Sequence, residues 1–216
     1  MTTEKALCPA DWALTLHMLE KLAPGFFAAE QLAPVLERTL AALHHLPTDF
    51  PVALDEHEAM ARVDAVYLRT LRGLPAKTLD LDSLRTWIDA NGTRAPLEAW
   101  WVASVAGLPR PFTNRHPFTG SAHLYMLTHE VMLDTGFFSK PTTLHATLDE
   151  LEAALPAVAA DRQWDLAAEI AFTLRSAGRQ CRLEVPLEPS ESETGREAAH
   201  RLATTLIAFA SGIRGL

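Results

Sequence analysis

The sequence predicts an all-α protein: one domain over residues 1–216, built of antiparallel helical hairpins in a stack able to close into an α/α toroid. Three observations predict it. Apolar residues recur at helical spacing in about eight to ten stretches. No stretch sustains period-two alternation, and the connections are short, so successive helices pack as antiparallel neighbours.

The first helix is expected over Pro9 to Leu22. Pro9 suits a first-turn position, and Trp12, Leu16 and Leu19 recur at helical spacing beside Ala13. Pro24-Gly25 breaks it. A second helix is expected from Ala28 to His45 with Leu32, Val35, Leu36, Thr39, Leu40 and Leu43 inward; Pro34 lies near its start or marks its first turn. A third, Leu54 to Arg72, opens on Asp55, Glu56 and Glu58 and closes on Arg69 and Arg72, a polarity that complements the helix dipole. Gly73 stops it.

Asp82 is the expected N-cap of a short helix to Ala90 that carries Leu84, Trp87 and Ile88. Pro96 at N1 starts PLEAWWVASVAG, which ends at Gly107. The three prolines of LPRPFTNRHPF make a surface loop. Ser121 to Thr135 reads as a buried helix, because Ala122, Tyr125, Met126, His129, Met132 and Leu133 share one face while Leu124, Thr128 and Val131 share another. Gly136 is its natural C′ residue.

Thr142 or Thr143 caps the next helix, which runs through Leu144, Leu148, Leu151 and Leu155 until Pro156 bends or ends it. A helix over Arg162 to Ala177 follows, closed by Gly178. RLEV, at 182–185, is the one short strand expected. Ser190-x-x-Glu193 resembles a capping box for a last helix with Ala198, Leu202, Thr205, Leu206 and Phe209 inward.

Composition narrows the function. The formal charge of −8, from 19 basic and 27 acidic residues, argues against nucleic acid or an anionic membrane, since both need a clustered basic surface. No run approaches the ~18 apolar residues of a spanning helix. Two cysteines make no disulfide framework, and MTTEKALCPADW has no export signal. A cytoplasmic protein is expected, and the Ala, Leu and Arg bias suggests a bacterial one.

The candidate chemistry sits on two helices. His129 lies in the core stripe of the Ser121–Thr135 helix. A lone histidine there is more often a core residue bonded to a carbonyl, but Thr128, Glu130 and Asp134 share this otherwise apolar helix. Each buried polar group needs a partner or costs ~1–3 kcal/mol, so several on one helix suggest a shared polar cavity. Asp165 and Glu169 lie one turn apart with no Lys or Arg four residues after either. Glu169, among Ala167, Ala168, Ile170, Ala171 and Phe172, is either salt-bridged from another helix or raised in pKa for acid-base work. Asp165 is the better first-turn dipole partner.

His129 and Glu169 are thus the candidate catalytic pair, and a ligand held beside them would meet Tyr125, Thr128, Asp134, Asp165 and Trp100. Of Trp100-Trp101, at most one lines a pocket. His44-His45 reads as structural, His57 lacks a second histidine at i+4, and Arg115 and His116 belong to the proline-rich loop. Phosphate loop, dinucleotide fingerprint, nucleophile elbow and Cys-x-x-Cys are all missing from the sequence.

LYMLTHEVMLDTGFF is similar to LTHxxFYxTDFG, a pattern of a bacterial, largely actinobacterial, helical domain family of unknown function. DLAAEIAFTLRSAG resembles that family's DLLAELLxxLRxLG helix. Thr128, His129 and Thr135 match the first motif, and Asp165 and Glu169 the second; Gly136 stands where the first has aspartate. The resemblance spans residues 96 to 178. It implies an all-helical, toroid-like domain with roles near natural-product pathways and supplies no established reaction.

The expectation is therefore an accessory or ligand-binding protein that recognises a small molecule or peptide, with a second copy or a pathway protein as further partner. The alternative is a tailoring enzyme with a His129/Glu169 acid-base site. No cofactor is expected. A catalytic zinc takes three protein ligands; His129 and Glu169 supply two, and no spacing selects a third from His17, His57, His145 or Asp165.

Overall fold

The computed structural model describes residues 8–111, 118–181, 183 and 195–212, and of 195–199 the backbone alone. The described chain is all-helical: α1 (Pro9–Leu22), α2 (Pro24–Ala29), α3 (Ala33–Leu43), α4 (Glu56–Leu71), α5 (Leu81–Asn91), α6 (Pro96–Val105), α7 (Gly120–Asp134), α8 (His145–Ala160), α9 (Trp164–Ser176) and α10 (Gly195–Ala210). None of these helices is long and apolar enough to cross a membrane. The expected strand at 182–185, the capping box at 190–193, and Arg115 and His116 lie outside the described residues.

The chain divides into two compact units. One holds Pro9–Leu14 and Val35–Met126; the other holds Thr15–Pro34 and the described residues from Leu127 onward.

The first unit is built around Trp87 on α5, which has no exposed surface. Its indole N–H donates to the Leu54 carbonyl at 3.0 Å, so the large ring is buried with its one polar atom satisfied. Phe50, Leu84, Val63 and Val102 are buried in the same cluster. Asp55 caps α4 by accepting the His57 and Glu58 amides. Asp80, not Asp82, caps α5: its carboxylate accepts the Asp82 and Ser83 amides, both at 3.2 Å. Asp82 instead sits inside the first turn, where an acid favours the dipole, and pairs with Arg85 at 3.0 Å. Arg69, expected in the closing turn of this helix, is buried. It donates to the carbonyls of Leu40 and Pro75 and so binds the chain on either side of α4.

The expected helix over 28–45 is two helices. A continuous one would place the Pro34 ring against the Glu30 carbonyl and remove a ladder donor. The chain breaks instead at Glu30–Leu32, with Gln31 at φ 51, and Pro34 enters the first turn of α3. Val35, expected inward, is exposed. So is Trp12 on α1, because the buried positions of that turn are Ala10, Ala13 and Leu14.

The second unit is centred on α9, whose residues from Leu166 to Leu174 are all buried. α8 and α10 both pack against it. Pro156 stands inside α8 and does not end it. On α10 the expected inward stripe holds only in part: Thr205 is buried, but Leu202 and Phe209 are more than half exposed, while Arg201, Thr204 and Ala208, with Ser211 just beyond the helix, are buried. Those five positions make a true helical stripe, mostly of small side chains. Hydrophobicity alone favours the face of Leu202 and Phe209; small side chains go inward instead, with the Thr204 and Ser211 hydroxyls bonded to backbone carbonyls, beside the buried Ala203 and Ile207.

Candidate functional site

Two neighbouring residues of α7 meet one residue of α9. The Thr128 hydroxyl donates to Glu169 Oε1, and His129 Nε2 lies 3.5 Å from the same oxygen. Thr128 is fully buried, and the Glu169 side chain keeps 3 % exposure against 17 % for His129. The pair expected from the sequence is therefore brought together, with the imidazole as its more exposed member.

Electrostatics fixes the state of the pair. Burial pushes the Glu169 carboxyl up to about 8; the Thr128 hydrogen bond opposes this and the nearby Asp165 charge adds to it. Burial, with His200 as a second cause, holds the His129 imidazole down at about 3. Both groups are uncharged at neutral pH. A low-dielectric site favours that neutral couple over a separated carboxylate and imidazolium. It retains one acidic proton, on Glu169, and an imidazole able both to donate and to accept.

The surroundings are polar for a helix interface. Asp165, in the first turn of α9, has Oδ2 3.9 Å from His200 Nδ1 of α10. It thus takes the dipole position expected of it and flanks Glu169 without joining the buried pair. Thr173, one turn beyond Glu169, is completely buried, and its hydroxyl finds no hydrogen-bond partner among the described residues.

Asp134, expected to meet a ligand, is a loop clamp. Its carboxylate accepts the Thr142 hydroxyl at 2.7 Å and the Thr143 amide at 2.8 Å, bonds that hold its pKa below the usual carboxylate range. Thr142 in turn accepts the Leu144 amide, so the threonines organise the entry to α8 without being its N-cap, which is Leu144.

The clamp closes a loop that begins as a Schellman motif. The Gly136 amide bonds the Leu133 carbonyl and the Phe137 amide that of Met132, as the glycine C′ position predicts. The left-handed conformation then continues: φ is 57° at Gly136, 49° at Phe137 and 65° at Phe138. Each non-glycine residue there carries local strain. Thr135 Oγ1 supports the turn by accepting the Phe138 amide at 2.9 Å, and the Phe138 ring packs edge-on against Phe172 of α9.

Tyr125 and Trp100, the remaining expected ligand contacts, belong to the other unit. Trp100 is buried with the Arg110 guanidinium 5.1 Å from its ring centre. Its neighbour Trp101 is buried too and donates to Asp64 Oδ1 at 2.9 Å. Burial holds the Asp64 carboxyl well above its usual range, against the lowering effect of the Trp101 bond. This buried acid is missing from the sequence-derived candidates, although Val63 and Ala65 flank it as apolar neighbours flank Glu169. Three potential metal-ligating side chains also gather at Asp55, Glu56 and His57. Asp55 is occupied by capping, and Glu56 pairs with Arg94 at 3.3 Å.

No family model, curated protein or solved structure matches the chain.

Proposed function

We propose that the protein is a ligand-binding accessory protein of the bacterial cytoplasm, serving a natural-product pathway and recognising an uncharged polar group of a small molecule or peptide through His129. The seclusion of Glu169 carries this reading. With Thr128 fully buried and Glu169 at 3 % exposure, the 17 % of the His129 side chain left exposed is the part of the couple open to a ligand, while the acid lies behind it. An uncharged couple suits an amide or hydroxyl better than an ion, because it offers directional hydrogen bonds and no charge. The acidic composition supports a partner other than nucleic acid or an anionic membrane surface. A second copy or a pathway protein remains the protein partner to look for.

The test is a thermal-shift screen of uncharged small molecules and blocked tripeptides. A hit is expected to lose its stabilising shift in His129→Ala, with the helical circular-dichroism spectrum retained. Hits indifferent to His129→Ala would remove this site from the binding reading.

One observation favours a tailoring enzyme as the second reading: a carboxyl that keeps its proton at neutral pH stands beside a neutral imidazole, an arrangement suited to general acid-base work. Full turnover by His129→Ala in a reconstituted pathway would discard it.

A further inference from the structure

A second site lies elsewhere in the same unit. The end of α1, the loop after α7, the start of α8 and the end of α9 enclose a groove of about 560 Å³, within the usual range for small-molecule sites. Its apolar surface comes from Leu22, Phe138, Pro141 and Leu148, and its charged lining from Lys21, Lys140 and Arg179. Ser139, Thr142 and Ser176 add hydroxyls. No acid is among the residues that line it, although the chain as a whole carries −8.

The neighbouring acids are already engaged. Asp149 and Glu152 pair with Arg179, Glu20 pairs with Lys21 at 3.2 Å, and Asp134 is held by Thr142 and Thr143. Lys140 is exposed; its charge is one of the causes that lower the Asp134 pKa, but among the described residues no carboxylate lies within ion-pair distance of it. α8 begins at the groove without a side-chain cap, which adds the positive end of a helix. The opposing C-terminal carbonyls of α9 are partly taken up by the amides of Gly178 and Arg179.

We propose that this groove binds a small amphipathic anion, an apolar body on Leu22, Phe138 and Leu148 with a carboxylate or phosphate head toward Lys140 and Lys21. The site is distinct from the His129 couple and uses none of its residues.

The experiment is isothermal titration calorimetry of the full chain with octanoate, octyl phosphate and octanol. One or both anions are expected to bind at a single site while octanol does not. Tighter octanoate assigns a carboxylate head, and tighter octyl phosphate a phosphate. Lys140→Glu and Lys21→Glu are each expected to weaken the anion about tenfold, the effect of reversing one partly screened charge. Arg85→Glu, on an exposed face of the other unit, and His129→Ala are expected to leave it unchanged. Octanol binding as tightly as the anions, silence from both anions, or unchanged affinity in both folded lysine variants would overturn the proposal. Because His129→Ala is carried in parallel, failure here is separable from failure of the His129 reading.

Discussion

Between pH 6.5 and 8 the protein is expected to lose about 2 kcal/mol of folding stability through Glu169 alone. The sign follows from proton counts. Folding raises the Glu169 pKa from 4.5 to about 8, so between those values the folded state holds a proton that the unfolded state has released. Stability contributed by that proton falls as pH rises through the window. His129 works in reverse, from 6.5 down to about 3: the unfolded state binds the extra proton, and stability falls as pH drops through that range. From pH 4.5 to 6.5 the two slopes oppose each other, because unfolding moves one proton from Glu169 to His129 and leaves the total unchanged. Below that plateau only His129 acts, and above it only Glu169.

Asp64, also raised by burial, adds a loss of the same sign as Glu169, so the variant comparison is what isolates the couple. Urea unfolding should show Glu169→Gln keeping the acid limb and losing the 169-dependent fall above the plateau. Glutamine preserves an acceptor for Thr128, so at low pH the variant should differ little from the parent. Parallel profiles for parent and variant across the whole range would refute the neutral couple.

Trp87→Ala is expected to cost about 3–5 kcal/mol, the range for truncating a large aromatic side chain in a core. The residue is fully buried, and its loss also frees the Leu54 carbonyl from its indole donor. Trp12→Ala is the matched control. At 43 % exposure it should shift stability by no more than about 0.5 kcal/mol. Equal losses from the two tryptophans would contradict the placement of both.

Those two tryptophans show which parts of the fold were legible in the sequence. α1, α4 and α6 are bounded by Pro9, Gly73, Pro96 and Gly107, residues whose backbone chemistry punctuates a helix from within the sequence. The inward faces are harder to read: Leu16 and Leu19 are buried as expected, but Trp12 of the same stripe is exposed while Ala10 and Ala13 beside it are buried. α10 repeats the lesson, with an arginine, two threonines and a serine buried where Leu202 and Phe209 had the stronger hydrophobic signal. The α5 cap moved from Asp82 to Asp80 because two aspartates two residues apart offer the same chemistry, and only the backbone path chooses between them.

The His129–Glu169 pair was visible as polarity on apolar helices, a signal that survives without knowledge of the fold. Asp64 carries a similar signal, but Arg62 and Arg69 on the same helix make its surroundings read as a solvated charged face. Both arginines are in fact buried, and the Trp101 partner lies 37 residues away, a separation that no local pattern reports. The clamp role of Asp134 was not legible for a related reason. Its partners Thr142 and Thr143 lie across a turn whose closure the sequence does not announce.

Gly136 to Phe138 has a consequence in stereochemistry. For three residues the backbone φ is positive, opposite in sign to that of the helix it ends, a region natural to D-amino acids and costly to L-residues by roughly 1–2 kcal/mol each. The aspartate in the similar motif falls at position 136, and aspartate is among the few L-residues that enter this conformation readily. An acid at that position can therefore answer to backbone handedness without any part in chemistry. Glycine, being achiral, meets the same demand. A semisynthetic chain with D-alanine at 136 would keep the turn, restrict the unfolded chain, and place no methyl group where an L-residue's would strain it.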